Sequence, residues 1–149
     1  MCIRDSRFQG VKRRMEILAS CEDYVIYDDF AHHPTEIFKT LSSLREKIGN
    51  DQIIALIEPR SRTMQSGLHD KEMVKALSPA DSVIWYEGQD VKRSMSAELK
   101  KAKAEVYFAA NISEIIQITR QIKTTKSNIV IMSNGDFSGL RELIKKELD

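Results

Sequence analysis

The chain passes from strand to helix at Asp28-Asp-Phe-Ala-His-His-Pro-Thr35, directly after the short apolar stretch Tyr24–Tyr27. We predict a helix beginning at Pro34, because proline suits the first helical position and its missing N–H has no partner there. The residue before a proline is disfavoured in helical backbone, so His33 belongs to the turn. Two carboxylates and two imidazoles therefore lie in one tight loop between a strand and a helix.

Outward from this loop, strand and helix patterns alternate along the chain. The continuous apolar run Ile53–Ile57 is typical of a parallel strand that is buried on both faces. Further strands are predicted at Val83–Tyr86, Val106–Phe108 and Ile129–Met132. The alternation predicts an α/β fold with a mostly parallel sheet and helices on both faces. The segment Arg14–Tyr27 predicts an antiparallel hairpin at the sheet edge.

Helical spacing of apolar residues predicts which faces are buried. For the helix after Pro34 and for the last helix, the expected inner residues are Ile37, Phe38, Leu41, Leu44 and Ile48, and Leu140, Leu143, Ile144 and Leu148.

Composition restricts the class of protein. A chain of 149 residues is long enough for one domain with a core, and 42% hydrophobic and 30% charged residues are typical of a globular protein. The net charge of +1 gives no indication of a nucleic-acid or membrane partner. Cys2 and Cys21 are too few for a disulfide framework, and Met1–Gly10 lacks the apolar centre of a signal peptide. We therefore expect a cytoplasmic protein.

The first six residues, Met-Cys-Ile-Arg-Asp-Ser, resemble the translated end of a transposase adapter used in preparing sequencing libraries. Residues 1–6 are therefore expected to be a non-native tail, and residues 7–149 a fragment of a longer enzyme. The alternative is an ordinary flexible N-terminus.

Three loops after predicted strands carry unusual polar residues: Asp28–Pro34, Glu58–Thr63 and Ser133–Gly139. In a parallel sheet, the loops at the carboxyl ends of the strands share one edge, and ligands bind there. Helix starts at this edge present N–H groups that can hold an anion. We expect the three loops to form one site.

The first loop has two interpretations for each pair of residues. Asp28 and Asp29 could accept hydrogen bonds from a ribose or help to hold Mg²⁺, or they could cap the following helix. His32 and His33 could bind a phosphate or carboxylate, or could be turn histidines held by a neighbouring Asp. Adjacent histidines lack the i, i+4 spacing of helical zinc motifs, so we predict no metal site.

Arginines mark the second loop and the N-terminal segment. Arg60 and Arg62 follow a buried strand, and guanidinium groups bind carboxylates and phosphates in a bidentate way. The alternative is that they are solvated loop charges. Arg13 and Arg14 form a weaker case, because basic pairs on exposed strands are usually solvated.

The third loop, Ser133–Gly139, could hold an anion with its N–H groups. The alternative is a turn that needs positive φ at Gly135 and Gly139. The sequence contains neither a GxxxxGK[ST] phosphate loop nor a recognisable nucleophile elbow. By itself, the chain is not expected to carry out a complete reaction.

Four motifs in this order resemble the C-terminal domain of the Mur ligases. They are Phe8-Gln-Gly-Val-Lys-Arg-Arg14, Tyr27-Asp-Asp-Phe-Ala-His-His-Pro-Thr35, Glu58-Pro-Arg-Ser-Arg-Thr-Met64 and Met132-Ser-Asn-Gly-Asp-Phe-Ser-Gly139. The resemblance implies a Rossmann-like domain of a three-domain ligase that uses ATP, with Mg²⁺ held mainly by the central ATPase domain. In such ligases a carboxylate of UDP-N-acetylmuramate is activated by phosphorylation and an incoming amine forms the amide, while the C-terminal domain closes and excludes water.

Matched position by position, the resemblance implies two groups of site residues. The ATP side is Arg14, Asp29 and His32, and the peptide side is Arg60, Ser61, Asn134 and Gly135. The third and fourth motifs, through Glu58-Pro-Arg-Ser61 and Met132-Ser-Asn-Gly135, favour a ligase that adds the tripeptide L-Ala-γ-D-Glu-meso-diaminopimelate in peptidoglycan recycling. The alternatives are a ligase that adds L-alanine, or a non-catalytic module that binds nucleotides or anions.

Three positions depart from the family pattern. Asp136 and Ser138 stand where the family usually has glycines, and Arg62 stands where the tripeptide-adding ligase usually has Asn. A carboxylate at position 136 would repel an anionic peptide, which puts the role of that loop in doubt.

Overall fold

One sheet of six strands organises the part of the chain that the computed structural model describes, which is residues 13–89, 91 and 93–148. The strands are β1 (Glu16–Ser20), β2 (Tyr24–Asp29), β3 (Gln52–Ile57), β4 (Ser82–Tyr86), β5 (Glu105–Ala109) and β6 (Ser127–Met132). Their order across the sheet is β1-β2-β6-β3-β4-β5. Only the β1–β2 pair is antiparallel within these residues, so the predicted parallel sheet with a hairpin at its edge is confirmed.

Helices cover both faces of the sheet, as predicted. They are α1 (Pro34–Ile48), α2 (Arg62–Gln65), α3 (Asp70–Ala76), α4 (Ser96–Leu99), α5 (Ile112–Ile122) and α6 (Leu140–Glu147), with a 3₁₀ turn at Phe137–Gly139. Buried residues of α1, α3 and α4 pack on one face, and those of α5 and α6 pack on the other. In residues 13–89, 91 and 93–148, none of these helices has the length and apolar character needed to cross a membrane.

The apolar run of β3 is explained by this double cover. Ile53, Ala55 and Ile57 belong to the core under α1 and α3, whereas Ile54 and Leu56 belong to the core under α5 and α6. Successive side chains of a strand point to opposite faces, so a strand covered on both sides needs an apolar residue at every position.

Two of the expected inner residues are exposed. Phe38 of α1 is 46% exposed and Leu143 of α6 is 42% exposed, so both predictions were wrong. Each lies next to a fully buried isoleucine, Ile37 or Ile144. One helical step rotates a side chain by about 100°, so a residue beside the centre of the buried stripe can emerge at its rim.

The predicted adapter-derived segment, residues 1–6, lies outside the described residues, as does the Phe8–Lys12 part of the first family motif.

Candidate functional site

The three polar loops emerge side by side. They follow β2, β3 and β6, and β6 lies between the other two strands with its Met132 opposite Asp29 of β2 and Ile57 of β3. The Ser133 N–H donates to the Asp29 carbonyl at 3.2 Å, and the Glu58 N–H donates to the Met132 carbonyl at 3.1 Å. The loops therefore form one edge, as the parallel topology predicts.

Asp29 ties the first loop to the start of β1. Its Oδ1 accepts a hydrogen bond from the Ala31 N–H at 2.8 Å, and its Oδ2 accepts one from the Met15 N–H at 2.9 Å. Burial raises the pKa of Asp29 above its ordinary value. The hydrogen bonds from these N–H groups and from the Thr40 hydroxyl lower the pKa, but by less than burial raises it. The buried carboxylate thus fixes the backbone on both sides of it.

The cap of α1 is a histidine. The Nδ1 atom of His33 accepts a hydrogen bond from the Thr35 N–H at 3.3 Å. Asp28 and Asp29 are engaged elsewhere, so the interpretation of either as a helix-capping carboxylate was wrong.

Arg14 and Asp29 line two adjoining cavities between β1 and α1, of about 440 and 280 Å³. Lys39 and Thr40 of α1 line both cavities as well. The larger cavity also has an apolar wall, formed by Met15, Ile17, Tyr27 and Leu44. Glu36 lines the smaller cavity, so the arrangement places cations, two carboxylates and an apolar surface around the same space.

His32 lies beside these cavities on the loop rim, with 31% of its side chain exposed. Its Nδ1 is 3.1 Å from the Phe30 carbonyl oxygen and 3.7 Å from a carboxylate oxygen of Glu36. The alternative that a neighbouring Asp holds this ring was therefore wrong, because the carboxylate comes from α1.

Asp28 is buried on the other face of β2 and binds two arginines. Its Oδ1 accepts from Arg141 Nε at 2.8 Å, and its Oδ2 lies 3.5 Å from Arg13 Nε. Both arginines also donate to the Gly135 carbonyl oxygen, Arg13 at 2.6 Å and Arg141 at 3.1 Å. Arg13 is therefore not a solvated charge, and that expectation was wrong.

The sequence interpretation missed Arg141 and gave Arg13 little weight. Arg141 follows the buried Leu140 at the start of α6, and nothing in its local sequence marks it. The sequence did offer one indication that Arg13 matters: it stands beside Arg14, and both arginines belong to the first family motif.

Arg60 and Gly135 contact each other across the second and third loops. A Cβ atom added to Gly135 would lie 2.3 Å from Arg60 Nη1, so the guanidinium rests directly on the glycine backbone. Arg60 is exposed, and the described residues offer its guanidinium neither a hydrogen bond nor an ion pair. A guanidinium without an ion-pair partner among the described residues therefore lies at the site edge.

Ser61 caps the N-terminus of α2, where its Oγ accepts from the Met64 N–H at 3.2 Å. Asn134 has a buried Oδ1 without a hydrogen-bond partner in the described part of the chain. Beneath it, the Ser133 hydroxyl donates to the buried Glu58 carboxylate and accepts from the Gly135 N–H at 2.9 Å. The structure thus brings all four residues predicted for the peptide side to adjacent loops.

The third loop does not turn at Gly135. Positive φ occurs instead at Phe137, Ser138 and Gly139, at 52°, 50° and 74°, so the prediction was right for Gly139 and wrong for Gly135. Gly135 is needed for space, because of Arg60. The Asp136 carboxylate accepts from the Gly139 N–H at 3.1 Å and so stabilises this turn.

Residues 13–135 match the family model described as the Mur ligase, glutamate ligase domain. The chain belongs to the Mur ligase family. The matched range begins at Arg13 and ends at Gly135, which are in contact in the site.

Two curated Mur ligases show how much of an enzyme this domain represents. The UDP-N-acetylmuramate–L-alanyl-γ-D-glutamyl-meso-2,6-diaminoheptandioate ligase of Haemophilus influenzae is 33% identical over 142 residues, which are 95% of this chain and 31% of that protein. The UDP-N-acetylmuramate–L-alanine ligase of Streptococcus agalactiae is 49% identical over 136 residues, 87% of this chain and 30% of that protein. The chain spans about a third of the length of these relatives.

Two solved structures with more than 30% identity to this chain share its fold. The murein peptide ligase of Psychrobacter arcticus has a TM-score of 0.83 and 33% identity, covering 96% of this chain and 31% of that one. A domain from a putative UDP-N-acetylmuramate:L-alanyl-γ-D-glutamyl-meso-diaminopimelate ligase of Haemophilus ducreyi has a TM-score of 0.77 and 32% identity, covering 91% of this chain and 100% of that one. The second comparison shows that a similar domain was crystallised alone.

Proposed function

We propose that this chain is the C-terminal domain of an ATP-dependent, amide-forming ligase that joins UDP-N-acetylmuramate to the tripeptide L-Ala-γ-D-Glu-meso-diaminopimelate in peptidoglycan recycling. In this proposal, Arg14, Asp29 and His32 face ATP, whereas Arg60, Ser61, Asn134 and Gly135 face the incoming peptide. The observation that carries the proposal is that both groups lie along one sheet edge: Arg14 just before the antiparallel β1, and the others at or after the carboxyl ends of the adjacent strands β2, β6 and β3.

The ATP side offers complementary groups for each part of a nucleotide. Arg14 and Lys39 supply positive charge for phosphates, and a guanidinium can bind a phosphate through two parallel hydrogen bonds. Asp29 accepts from the Ala31 N–H and the Thr40 hydroxyl at Oδ1 and from the Met15 N–H at Oδ2, which leaves a lone pair of Oδ2 for a ribose hydroxyl. The apolar wall that includes Met15 and Tyr27 suits the base.

The peptide side offers groups for a substrate rich in carboxylates. Arg60 presents an exposed guanidinium that lies against the Gly135 backbone. The buried Asn134 Oδ1 lacks a partner among the described residues, so turning this side chain toward the peptide would break no hydrogen bond of that oxygen within the domain. Charge-assisted hydrogen bonds to a carboxylate are about twice as strong as neutral ones, so Arg60 dominates this side.

The rest of the reaction is assigned to the central ATPase domain of the same enzyme. That domain would hold Mg²⁺, and the proposal gives no Mg²⁺ ligand to this chain. Closure of the present domain over ATP would exclude water from the activated carboxylate, which water would otherwise hydrolyse. We propose a cytoplasmic location for the whole enzyme, in keeping with the composition of the chain.

The test is a ligation assay of the full-length enzyme with the tripeptide and with L-alanine as separate substrates. Arg60→Ala should raise the KM for the tripeptide about tenfold to a hundredfold, because a charge-assisted hydrogen bond contributes about 1.5–3 kcal/mol. Arg62→Ala is the matched control, since Arg62 is an exposed arginine of the same segment. Unchanged tripeptide kinetics in Arg60→Ala would contradict the peptide role.

The same assay decides between the two ligase types. The 49% identity to an L-alanine ligase favours the second candidate, a ligase that adds L-alanine. Ligation of L-alanine in place of the tripeptide would establish that candidate.

A further inference from the structure

Arg13 makes contacts with two of the three site loops at once. Its Nη2 donates to the carbonyl oxygens of Ser133 and Gly135, at 2.6 Å each. Its Nε lies 3.5 Å from the Asp28 carboxylate, and its guanidinium carbon lies 5.1 Å from the centre of the Phe30 ring. One side chain therefore joins the loop after β2 to the loop after β6.

The backbone of Arg13 is also fixed by the first loop. Its carbonyl oxygen accepts a hydrogen bond from the Phe30 N–H at 2.6 Å, and its N–H donates to the Glu16 carboxylate at 3.1 Å. Its φ is 61°, a conformation that costs free energy in residues other than glycine, so the surrounding contacts must hold it. The neighbouring Arg14 consequently has a fixed starting point beside the cavity that it lines.

Arg141 supports the same carbonyl from the other side. It donates to the Gly135 and Asp136 carbonyl oxygens at 3.1 and 2.7 Å and binds the Asp28 carboxylate at 2.8 Å. Two guanidinium groups thus share one buried carboxylate and turn the carbonyls of the third loop inward. The backbone that rests against Arg60 is the backbone that these two arginines hold.

We propose that Arg13 is a positioning residue of the peptide side: it fixes the Ser133–Gly135 backbone, and through this backbone it sets the places of Arg60 and Asn134. This inference rests on the proposed function for the meaning of those two residues. The inference gives two neighbouring arginines different roles. Arg13 positions the peptide side, whereas Arg14 belongs to the ATP side.

The planar guanidinium is required for this role. One Nη2 group reaches two carbonyl oxygens while the guanidinium carbon lies 5.1 Å from the Phe30 ring centre and Nε lies 3.5 Å from the Asp28 carboxylate. A lysine ammonium is a point charge on a flexible stem and cannot maintain all of these contacts together. Replacement by lysine should therefore keep the charge and lose much of the positioning.

Amide hydrogen exchange of the 149-residue chain tests the positioning directly, since a similar domain has been crystallised on its own. Arg13→Ala should speed exchange of the Gly135 N–H at least tenfold relative to the β6 amides. Arg13→Lys should speed it several-fold, so the test remains available if the alanine variant does not fold.

Arg45→Ala is the control. Arg45 also binds backbone carbonyls and an aspartate, Asp81 at 2.6 Å, but these partners lie in other loops. The Arg45→Ala variant should leave unchanged the ratio between the exchange rate of the Gly135 N–H and the exchange rates of the β6 amides. An Arg13→Ala variant with that ratio also unchanged would overturn the inference.

The full-length enzyme supplies a kinetic readout that general destabilisation would not produce. Arg13→Ala should raise the tripeptide KM about tenfold and leave the ATP KM within twofold, whereas Arg14→Ala should do the reverse. The inference would be overturned if Arg60→Ala raised the tripeptide KM and Arg13→Ala left it unchanged.

A different outcome would refute the proposed peptide function instead. In that case Arg13→Ala would speed exchange of the Gly135 N–H, but Arg60→Ala would show normal tripeptide kinetics. The positioning of the loop by Arg13 would then remain established.

Discussion

Asp28 and Asp29 carry the same charge but act on opposite faces of the sheet. Successive side chains of a strand point to opposite sides, so Asp28 meets Arg13 and Arg141 while Asp29 faces the space beside α1. The two carboxylates therefore have different partners, and a substitution at each should have a different effect.

The Asp29 carboxyl should titrate above its ordinary pKa. Burial disfavours the charged form, and this effect exceeds the stabilisation from two backbone N–H donors. With a raised pKa in the folded state, the stabilising contribution of Asp29 is complete below the ordinary pKa and is lost as the pH rises through the raised value. A ¹³C NMR titration of the carboxyl carbon measures this. A midpoint below the ordinary value would mean that the hydrogen bonds outweigh burial.

Gly135→Ala should displace Arg60 at little cost in stability. The new methyl group would lie 2.3 Å from Arg60 Nη1, but Arg60 is exposed and flexible and can move away. We expect a loss of about 1 kcal/mol or less in the free energy of unfolding, measured with urea, and a moved guanidinium in a crystal structure.

Gly139→Ala is the contrasting control for Gly135→Ala. Nothing lies within 4 Å of the added methyl group, but the φ of 74° strains an alanine backbone. It should lower stability by about 1 kcal/mol and leave Arg60 in place. An unmoved Arg60 in Gly135→Ala would show that the glycine is not needed for close approach.

At the scale of elements, the site depends on which strands are neighbours. The three loops meet because β6 pairs in parallel with both β2 and β3. The loop that follows β5 lies three strands away from β6, a distance of about 14 Å at ordinary strand spacing. Changes at the start of α5 should therefore affect stability without affecting the site.

Asn111→Ala should lower stability by about 1 kcal/mol, because Asn111 caps α5. Its side chain accepts from the Glu114 N–H at 2.9 Å, and the Glu114 carboxylate accepts from the Ala110 N–H at 2.7 Å. Urea unfolding measures the loss, and the amide spectrum of residues 133–136 should stay unchanged. Asn111→Ser is the matched control, since Ser caps equally well and places no second carboxylate beside Glu114, whose Oε1 accepts from Asn111 Nδ2 at 3.0 Å. An equal loss in that variant would show that capping is not the cause.

The sequence predicted the elements well because their signals are local. Ile53–Ile57 and Ile129–Met132 needed only their own apolar runs, and the shared edge of the loops followed from parallel topology. The roles of Arg141 and Arg13 could not be predicted, because their partners are distant in the sequence. Arg141 binds Asp28, which is 113 residues away, and Arg13 binds Ser133, which is 120 residues away. No local pattern encodes such a pair, and the exposure of Phe38 depends equally on what packs beside the helix.

At the scale of the whole molecule, the chain supplies one wall of the proposed ATP site. The cavities beside Arg14 and Asp29 are open at the surface between β1 and α1, so the isolated chain should bind ATP at least tenfold more weakly than the full-length enzyme. Titration calorimetry of both proteins measures this, with Arg14→Ala as the control for specific binding. Equal, tight binding by the isolated chain would favour the non-catalytic nucleotide-binding module.

The order of synthesis adds a consequence of the strand arrangement. Among the described strands, β6 is the last in the chain, yet it occupies the position between β2 and β3. Until Ser127–Met132 leave the ribosome, the β1–β2 pair shares no hydrogen bonds with the group of β3, β4 and β5. The edges of β2 and β3 that later pair with β6 remain unpaired during that time. Such edges are prone to aggregation, so a nascent chain of this topology benefits from fast translation of the stretch from β5 to β6 or from a chaperone.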